Sequence, residues 1–320
     1  MNKRLLLPMT VLLVSALPAG AGVSLDRTSP SIGGCGFPVN PARIFSLVPP
    51  GGGCDVGGAG PKAEVLQGAL GLVANDNVDG LSANTLTSEA LTYYLVLSAD
   101  RASVGQAGTP LRGEAVNNQA ASDLWRTNLT GGSPAAAMAG GGCVPFVVPT
   151  PPHSLHRNQT AFNMIQTAPP GAAAGGALDN IDAVEMDVLD TDGNGIHDVD
   201  VYFSLDPASP NLLFSGAEIY FAPAGAPFGP FSLPAQIGLQ AGDDIDSLVI
   251  WDRGVLGVAD AGVDFVLFSL APGSPTLALF GLSPAMIFVS HFSGNFCPFV
   301  GPGQLGLVMA DNVDGLDVMP

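Results

Sequence analysis

The feature that most constrains the fold of this chain is a short sequence that recurs along it. The repeat motif reads Asp-x-(Val/Ile)-Asp, followed by a small residue and then by Leu or Val. Three copies match closely and a fourth is shorter, and they lie at residues 71–81, 238–248, 306–316 and 179–184. Internal repetition at intervals of tens of residues is typical of chains built from similar supersecondary units. The sequence therefore predicts four quasi-repeats.

Two further motifs follow each repeat motif in the same order. The first includes VYFSLDPASP at residues 201–210, and the second is small-x-aliphatic-aromatic, as in residues 217–220. The chain begins inside a unit, with VSLDRTSP at residues 23–30, and finishes with a repeat motif at residues 311–318. The two ends together supply one unit, which is expected when repeats close into a ring.

Each unit has room for four short strands joined by Gly- and Pro-rich turns. Residues 247–251 and 264–270 are apolar, β-branched and aromatic, as strands buried on both faces tend to be. With 42 Gly, 28 Pro and only 12% charged residues, long helices with charged surfaces are not expected. We predict an all-β fold in which four quasi-repeats close into a β-propeller. A β-sandwich built from duplicated sheets remains the alternative.

The first 21 residues have the composition of a secretory signal peptide. Lys3 and Arg4 precede an apolar stretch, and small residues at positions 19–21 suit a cleavage site. The apolar stretch is too short to span a bilayer and no later stretch is suitable, so no membrane insertion is expected. We predict a secreted, extracellular protein in which residues 22–320 form a single repeat-built β domain.

The four cysteines predict disulfide bonds in the longer loops. An even number of cysteines in an exported chain favours two disulfides. Three pairings are possible, and proximity along the chain favours Cys35 with Cys54, which leaves Cys143 with Cys297. Cys143 lies in an Ala/Gly/Pro-rich segment, at about residues 130–176, that does not repeat and is predicted to be an inserted loop.

The charge of the chain limits its partners. The formal net charge is -18 at pH 7. Such a surface repels nucleic acid and anionic membranes, so binding to either by charge is not expected. The same charge suits the binding of cations.

Carboxylates cluster most densely in the segment DTDGNGIHD at residues 190–198. This segment could be a plain hairpin turn, for which Asn-Gly is favoured. A turn does not need the additional carboxylates, whereas Ca²⁺ prefers several oxygen ligands on a tight loop that contains glycine. The predicted ligands are the side chains of Asp190, Asp192, Asn194 and Asp198, together with the backbone carbonyl of Ile196. The nine residues resemble the calcium loops of integrin-type propeller repeats, which implies a calcium-binding loop. They depart from an EF-hand, because Val201 stands at position twelve.

A second candidate metal site takes one aspartate from each repeat motif. If the units close into a ring, equivalent places near one end of its channel are occupied by Asp79, Asp182, Asp246 and Asp314. This arrangement resembles hemopexin-like four-bladed propellers, in which an Asp-Ala pair opens each inner strand and ions lie in the channel. The alternative is that each aspartate caps a turn or accepts backbone hydrogen bonds within its own unit. We favour this structural role, because repeated residues usually serve the fold of the repeat.

The sequence contains no familiar catalytic motif. Its histidines are scattered, and no nucleophile elbow, zinc-protease motif or phosphate loop is found. We predict a calcium-binding, propeller-like protein that acts as a non-enzymatic binding, adhesion or extracellular structural module. Its partner would be an extracellular protein or glycan, and the apolar fraction of 47% also allows self-association. The alternative is an extracellular polysaccharide hydrolase or lyase with its site at the channel mouth. An enzyme is expected to gather titratable side chains in a pocket, and a binding module to expose a shallow apolar surface.

Overall fold

The fold consists mainly of β-strands. The computed structural model describes residues 21–26, 28–30, 44–46, 62–65, 70–73, 76–84, 92–116, 121, 123–130, 154–157, 179–186, 200–210, 215–224 and 226–318. Within these residues, sixteen strands form four antiparallel sheets of four strands each. The longest helix there has seven residues. The predicted all-β class with four repeated units is confirmed.

Sheet I contains strands from both ends of the chain. Its strands are β1 (Ala21–Leu25), β2 (Ile44–Ser46), β3 (Lys62–Val65) and β16 (Val313–Val318). They are ordered β16–β1–β2–β3, and Val23 of β1 pairs with Leu316 of β16. The two ends therefore complete one sheet, which is the arrangement that the order of the motifs predicts.

The other three sheets are each formed by four consecutive strands. Sheet II contains β4 (Val78–Asn84), β5 (Thr92–Ala99), β6 (Leu124–Thr130) and β7 (Ser154–Arg157). Sheet III contains β8 (Ile181–Met186), β9 (Val201–Leu205), β10 (Ile219–Ala222) and β11 (Gly229–Ser232). Sheet IV contains β12 (Ile245–Trp251), β13 (Phe265–Leu270), β14 (Ile287–Ser290) and β15 (Phe296–Val300). Each repeat motif therefore opens the first strand of a sheet, namely β4, β8, β12 or β16.

Short helices occupy the connections at the end where these first strands begin. They are α1 (Pro110–Val116), α2 (Pro234–Ile237), α3 (Pro275–Phe280) and α4 (Pro302–Leu305). Each begins with proline, whose fixed φ angle suits the first helical position. No helix in the described ranges is long and apolar enough to cross a membrane.

The first strands contact one another in cyclic order, β4 beside β8, β8 beside β12, β12 beside β16, and β16 beside β4. We call each contact between neighbouring sheets a seam and name it by its two sheets. At every seam a serine hydroxyl donates to a backbone carbonyl of the next sheet. These pairs are Ser24 and Val78 (3.0 Å), Ser82 and Met186 (3.3 Å), Ser204 and Ile245 (2.9 Å), and Ser269 and Val313 (2.7 Å). No sheet closes on itself among the strands described.

Apolar side chains fill the space between neighbouring sheets. One cluster joins sheets III and IV through residues such as Ile219 and Phe268, and a second joins sheets IV and I through Ile287 and Leu316. A third joins sheets II and III through residues such as Val96. All five residues of β9 are buried, because sheet III packs against a neighbour on both faces. This burial on both faces explains why the strands have nearly continuous apolar sequences.

A small residue follows the second aspartate of each repeat motif, and these residues are Gly80, Ala183, Ser247 and Gly315. A Cβ atom added at Gly80 would lie 2.6 Å from the Ser98 hydroxyl oxygen. One added at Gly315 would collide with the Ser24 hydroxyl and lie 2.9 Å from Cβ of Leu81. The neighbouring strands therefore crowd this position, which explains why a small residue stands there.

Replacing Gly315 by alanine should lower the free energy of unfolding by about 1–3 kcal/mol, because the new methyl group forces the strands at seam I–II apart. Urea denaturation measures the change. Gly303→Ala is the matched control, since a Cβ atom there meets nothing within 4 Å. The control should change stability by less than about 0.5 kcal/mol. Equal effects of the two substitutions would contradict tight packing at seam I–II.

Three predictions from the sequence concern regions that are only partly described. Cys297 in β15 is exposed and carries a free thiol, so the predicted disulfide with Cys143 is not formed. Cys35, Cys54 and Cys143 lie outside the described residues, as do residues 1–20 of the predicted signal peptide. Strand β7 falls inside the segment predicted to be an insertion and forms the fourth strand of sheet II.

Candidate metal site at the shared end of the four sheets

The repeat motifs bring their polar side chains together at one end of the sheets. Asp79, Asp182, Asp246 and Asp314, each the second residue of a first strand, all line one cavity of about 410 Å³. The residues two positions earlier line the same cavity, and they are Asn77, Asn180, Asp244 and Asn312. The four aspartates predicted to be equivalent are therefore neighbours around a common space.

Three asparagine side chains bridge neighbouring aspartates around this cavity. Each amide nitrogen donates to the aspartate of its own repeat motif and to that of a neighbouring sheet. The bonds run from Asn77 to Asp79 and Asp314 (2.7 Å each), from Asn180 to Asp79 (3.0 Å) and Asp182 (3.1 Å), and from Asn312 to Asp246 and Asp314 (2.6 Å each). One amide thus crosses each of the seams I–II, II–III and IV–I.

These bridges correct the expectation that each aspartate serves only its own unit. Asp79 and Asp314 accept hydrogen bonds from side chains of two different sheets. The first aspartate of the motif has the local role instead. Asp76 accepts from the backbone N–H groups of Val73 (2.8 Å), Val104 (2.6 Å) and Gly105 (3.0 Å), all in its own repeat. The two aspartates of one motif therefore have different roles. The first accepts hydrogen bonds within its own repeat, and the second accepts them from side chains that bridge neighbouring sheets.

A serine holds the backbone of each bridging residue in place. Its hydroxyl oxygen accepts from the backbone N–H of that residue at 2.8–3.1 Å. The pairs are Ser103 with Asn77, Ser209 with Asn180, Ser274 with Asp244, and Ser29 with Asn312. Because the contact is the same in all four repeats, the four side chains start from equivalent backbone positions.

At seam III–IV the bridging position is occupied by Asp244 instead of asparagine. Three carboxyl groups meet there, and one oxygen from each of Asp182, Asp244 and Asp246 lies within 4.8 Å of the other two. Carboxylates at this separation repel one another unless a proton or a cation lies between them. The cluster could therefore hold a metal ion, for which it offers three hard oxygen ligands.

The repeat that contains Asp244 also lacks an acidic group found in the others. In three repeats an aspartate begins the turn after the second strand and accepts a backbone N–H two residues later. The pairs are Asp26 with Thr28 (2.6 Å), Asp100 with Ala102 (2.9 Å) and Asp206 with Ala208 (2.7 Å). Ala271 occupies this place in sheet IV. In this repeat, therefore, the acidic group stands at the bridging position and not at the outer turn.

Positive charge is scarce around the cavity. Arg101 is the only basic residue among the described residues that line it, and its guanidinium lies 2.9 Å from Asp206 at the partly exposed rim. A pair this exposed contributes little to stability. The inner carboxylates consequently depend on amide donors, on protons or on a bound cation for compensation.

Burial raises the pKa values of the inner carboxyl groups. For Asp182, Asp246 and Asp314, desolvation is the main cause and neighbouring carboxylates add to it. The amide of Asn312 partly opposes the rise in the pKa of Asp246. Desolvation, followed by the charge of Asp206, raises the pKa of Asp244 to about 7. A proton is therefore favoured at seam III–IV in the metal-free chain.

These shifts predict how the stability of the metal-free protein depends on pH. The pKa of Asp244 is higher in the folded state than its ordinary value of 3.8, so folding favours the protonated form. After removal of metal by EDTA and dialysis, stability should be highest below about pH 4 and fall as the pH rises from there through about 7, the pKa of Asp244 in the folded state. Urea denaturation at a series of pH values measures this slope. Asp244→Asn should make the slope shallower, and an unchanged slope would contradict the assignment.

The amide bridges predict a second effect on stability. Asn77→Ala removes both hydrogen bonds at seam I–II and leaves Asp79 and Asp314 without this shared donor. The free energy of unfolding should fall by about 2–4 kcal/mol, because each bond ends on a buried carboxylate. Asn295→Ala is the control at an exposed site. A loss no larger than that of the control, measured by urea denaturation, would show that the bridge does not hold the sheets together.

The predicted calcium loop lies outside the described residues, which include neither the loop nor its proposed ligands Asp190, Asp192, Asn194, Ile196 and Asp198. It stays a prediction. Sequence reasoning also missed the bridging position. A signal was present, because the residue after the first aspartate of the motif is Asn in three copies and Asp in the fourth.

Comparison with models of known protein families, with curated proteins and with solved structures finds no match to this chain. The class of protein that the structure defines is an all-β repeat protein with an acidic cluster, where its sheets meet, that could hold a metal ion. The proposal for its function is therefore based on the geometry of that cavity.

Proposed function

We propose that this chain is a secreted four-bladed β-propeller that acts outside the cell as a non-enzymatic binding, adhesion or structural module stabilised by calcium. Four four-stranded sheets, first strands in cyclic contact, and a sheet shared by both ends of the chain support the propeller. In this architecture each sheet is a blade and the first strands surround a channel. The cavity lined by the repeat motifs is then the mouth of that channel.

The three asparagine bridges are the observation that supports a non-enzymatic role. A catalytic carboxyl group must come within hydrogen-bonding distance of a substrate. Asp79, Asp246 and Asp314 are at most 8% exposed, and each accepts a hydrogen bond from a bridging asparagine. These carboxylates hold the blades together, so the mouth serves first as a structural junction.

Calcium is the proposed ion because the available ligands are hard oxygen atoms. No histidine or cysteine is found among the described residues that line the cavity. Carboxylate and carbonyl oxygens suit Ca²⁺ better than the softer transition metals. The predicted loop at residues 190–198 has the same ligand chemistry. Extracellular modules bind calcium with dissociation constants of about 10⁻⁴–10⁻³ M, so a secreted protein can depend on it.

A polysaccharide hydrolase or lyase is the second candidate, and one observation favours it. Several carboxyl groups converge on a cavity of about 410 Å³, and burial raises the pKa of one of them, Asp244, to about 7. A carboxyl group that stays protonated near neutral pH can act as a general acid beside an ionised carboxylate. Such an enzyme would bind a sugar chain at the mouth of the channel.

The two functions can be separated with purified protein comprising residues 22–320. We expect bound calcium, and a fall in melting temperature in EDTA that added calcium reverses, because ligand at about 100 times its dissociation constant stabilises by about 2.7 kcal/mol. We expect retention on immobilised glycans or matrix proteins without release of reducing or unsaturated sugars. Release of such products, abolished by Asp244→Asn, would support the enzyme. Protein without calcium and without a calcium effect on melting would contradict the proposed stabilisation.

A further inference from the structure

We infer that one divalent cation binds at seam III–IV between Asp182, Asp244 and Asp246, and that it replaces the amide bridge that asparagine supplies at the other three seams. The inference rests on the proposed function only for the choice of calcium as the ion. It does not depend on export or on any extracellular partner. It assigns the cation to one side of the channel mouth, at a single seam.

The first step is the equivalence of Asp244 and the three asparagines. The backbone N–H of Asp244 donates to Ser274 at 3.1 Å, and that of Asn77 donates to Ser103 at 3.0 Å. The side chain of Asp244 therefore begins where a bridging amide would begin. Its neighbours on either side, Asp182 and Asp246, are the two aspartates that an asparagine at this position would join.

The second step is a count of hydrogen atoms. The side-chain amide of asparagine carries two N–H donors, and each of the three asparagines uses its amide nitrogen to contact two carboxylates. A protonated aspartic acid has one O–H donor, so Asp244 can donate to only one neighbour, and a bridge to the other needs a second proton. A cation has no such limit, because it attracts all three carboxylates at once. A single cation can therefore bridge both neighbours, as the amide does at the other seams.

The third step concerns buried oxygen atoms that have no hydrogen-bond partner. Asn180 and Asn312 are 3% and 5% exposed, line the same cavity, and donate to Asp182 and Asp246 of the cluster. The Oδ1 atoms of both asparagines accept no hydrogen bond, and neither does Oδ1 of Asp244. Buried acceptors are normally satisfied. The unsatisfied oxygens on both sides of the acidic cluster therefore leave acceptor positions that a cation can occupy. Asn77, farther round the cavity, has the same unsatisfied atom.

The seam is also shaped to admit the additional carboxylate. The backbone N–H of Ile245 donates to the carbonyl of Gly216, and the corresponding bond at seam IV–I runs from Val313 to Pro284. A Cβ atom at Gly216 would collide with Oδ1 of Asp244. Glycine therefore leaves room for the acidic side chain at seam III–IV, where seam IV–I has proline.

The test uses Asp244→Asn, which should restore the fourth amide bridge. Calcium binding is measured by titration calorimetry and by metal analysis after dialysis against Ca²⁺ alone, and stability is measured in EDTA. We expect the variant to bind one calcium ion fewer than the wild-type chain. We also expect it to be at least as stable as the wild-type chain in EDTA, because the amide does without a cation what three carboxylates cannot.

Two further variants make the outcome decisive. Asp190→Asn combined with Asp192→Asn removes the predicted loop site and should leave the ion at seam III–IV in place. Asn180→Asp places a third carboxyl group at seam II–III and should add one bound calcium ion.

The results separate the inference from the proposed function. If calcium is lost only in the loop variant, the proposed stabilisation survives and the seam site is overturned. An Asp244→Asn variant that keeps every bound ion, or that is less stable than the wild-type chain in EDTA, also overturns it. A wild-type chain that binds neither Ca²⁺ nor Mn²⁺ overturns both proposals.

Discussion

The interaction on which the architecture depends is a neutral amide that donates to two buried carboxylates from different sheets. Asn77, Asn180 and Asn312 each make this contact. Apolar burial holds the sheets in contact but has no direction. The amide bridges are directional, because a shift of one sheet along its neighbour would leave carboxylates buried without donors. They therefore fix which residues face each other at the seams, and the serine contacts between sheets reinforce the same alignment.

Much of this arrangement could be predicted from the sequence, because repetition carries information about position. Once Asp79 and its three counterparts are recognised as equivalent, any closed arrangement of the repeats places them together. The bridging role of Asn77 could not be predicted, because it depends on which carboxylates lie opposite each other across a seam. Asp244 was passed over for the same reason, since a substitution of Asp for Asn within an acidic motif is unremarkable until its neighbours are known. The pairing of Cys143 with Cys297 was predicted only because it remained after Cys35 was paired with Cys54, and the free thiol of Cys297 does not support it.

Three of the seams contain an asparagine bridge and seam III–IV does not, so the arrangement of the four sheets is asymmetric. The repeat in sheet IV has Ala271 at the outer turn and Asp244 at the bridging position, so its acidic group lies in the buried ring. A carboxylate at the rim is solvated and costs little, whereas one in the ring needs compensation. This asymmetry therefore places at seam III–IV a carboxylate that needs a compensating group. The need for compensation at this seam connects the fold to the proposed cation. It also explains why a structural junction and a metal site can occupy the same few residues.

The pairing of β1 with β16 has a consequence for the order in which the molecule can be made. Sheet I needs residues from both ends of the described chain, and Asn312 and Asp314 lie in or next to its last strand. Two of the three amide bridges therefore cannot form until that strand arrives. Contacts between such distant residues slow folding, because the intervening chain must be ordered first. Strand β1 would meanwhile present an unpaired edge, and sheets II and IV would expose the apolar surface that β16 covers, so folding should be late, cooperative and sensitive to loss of the final strand.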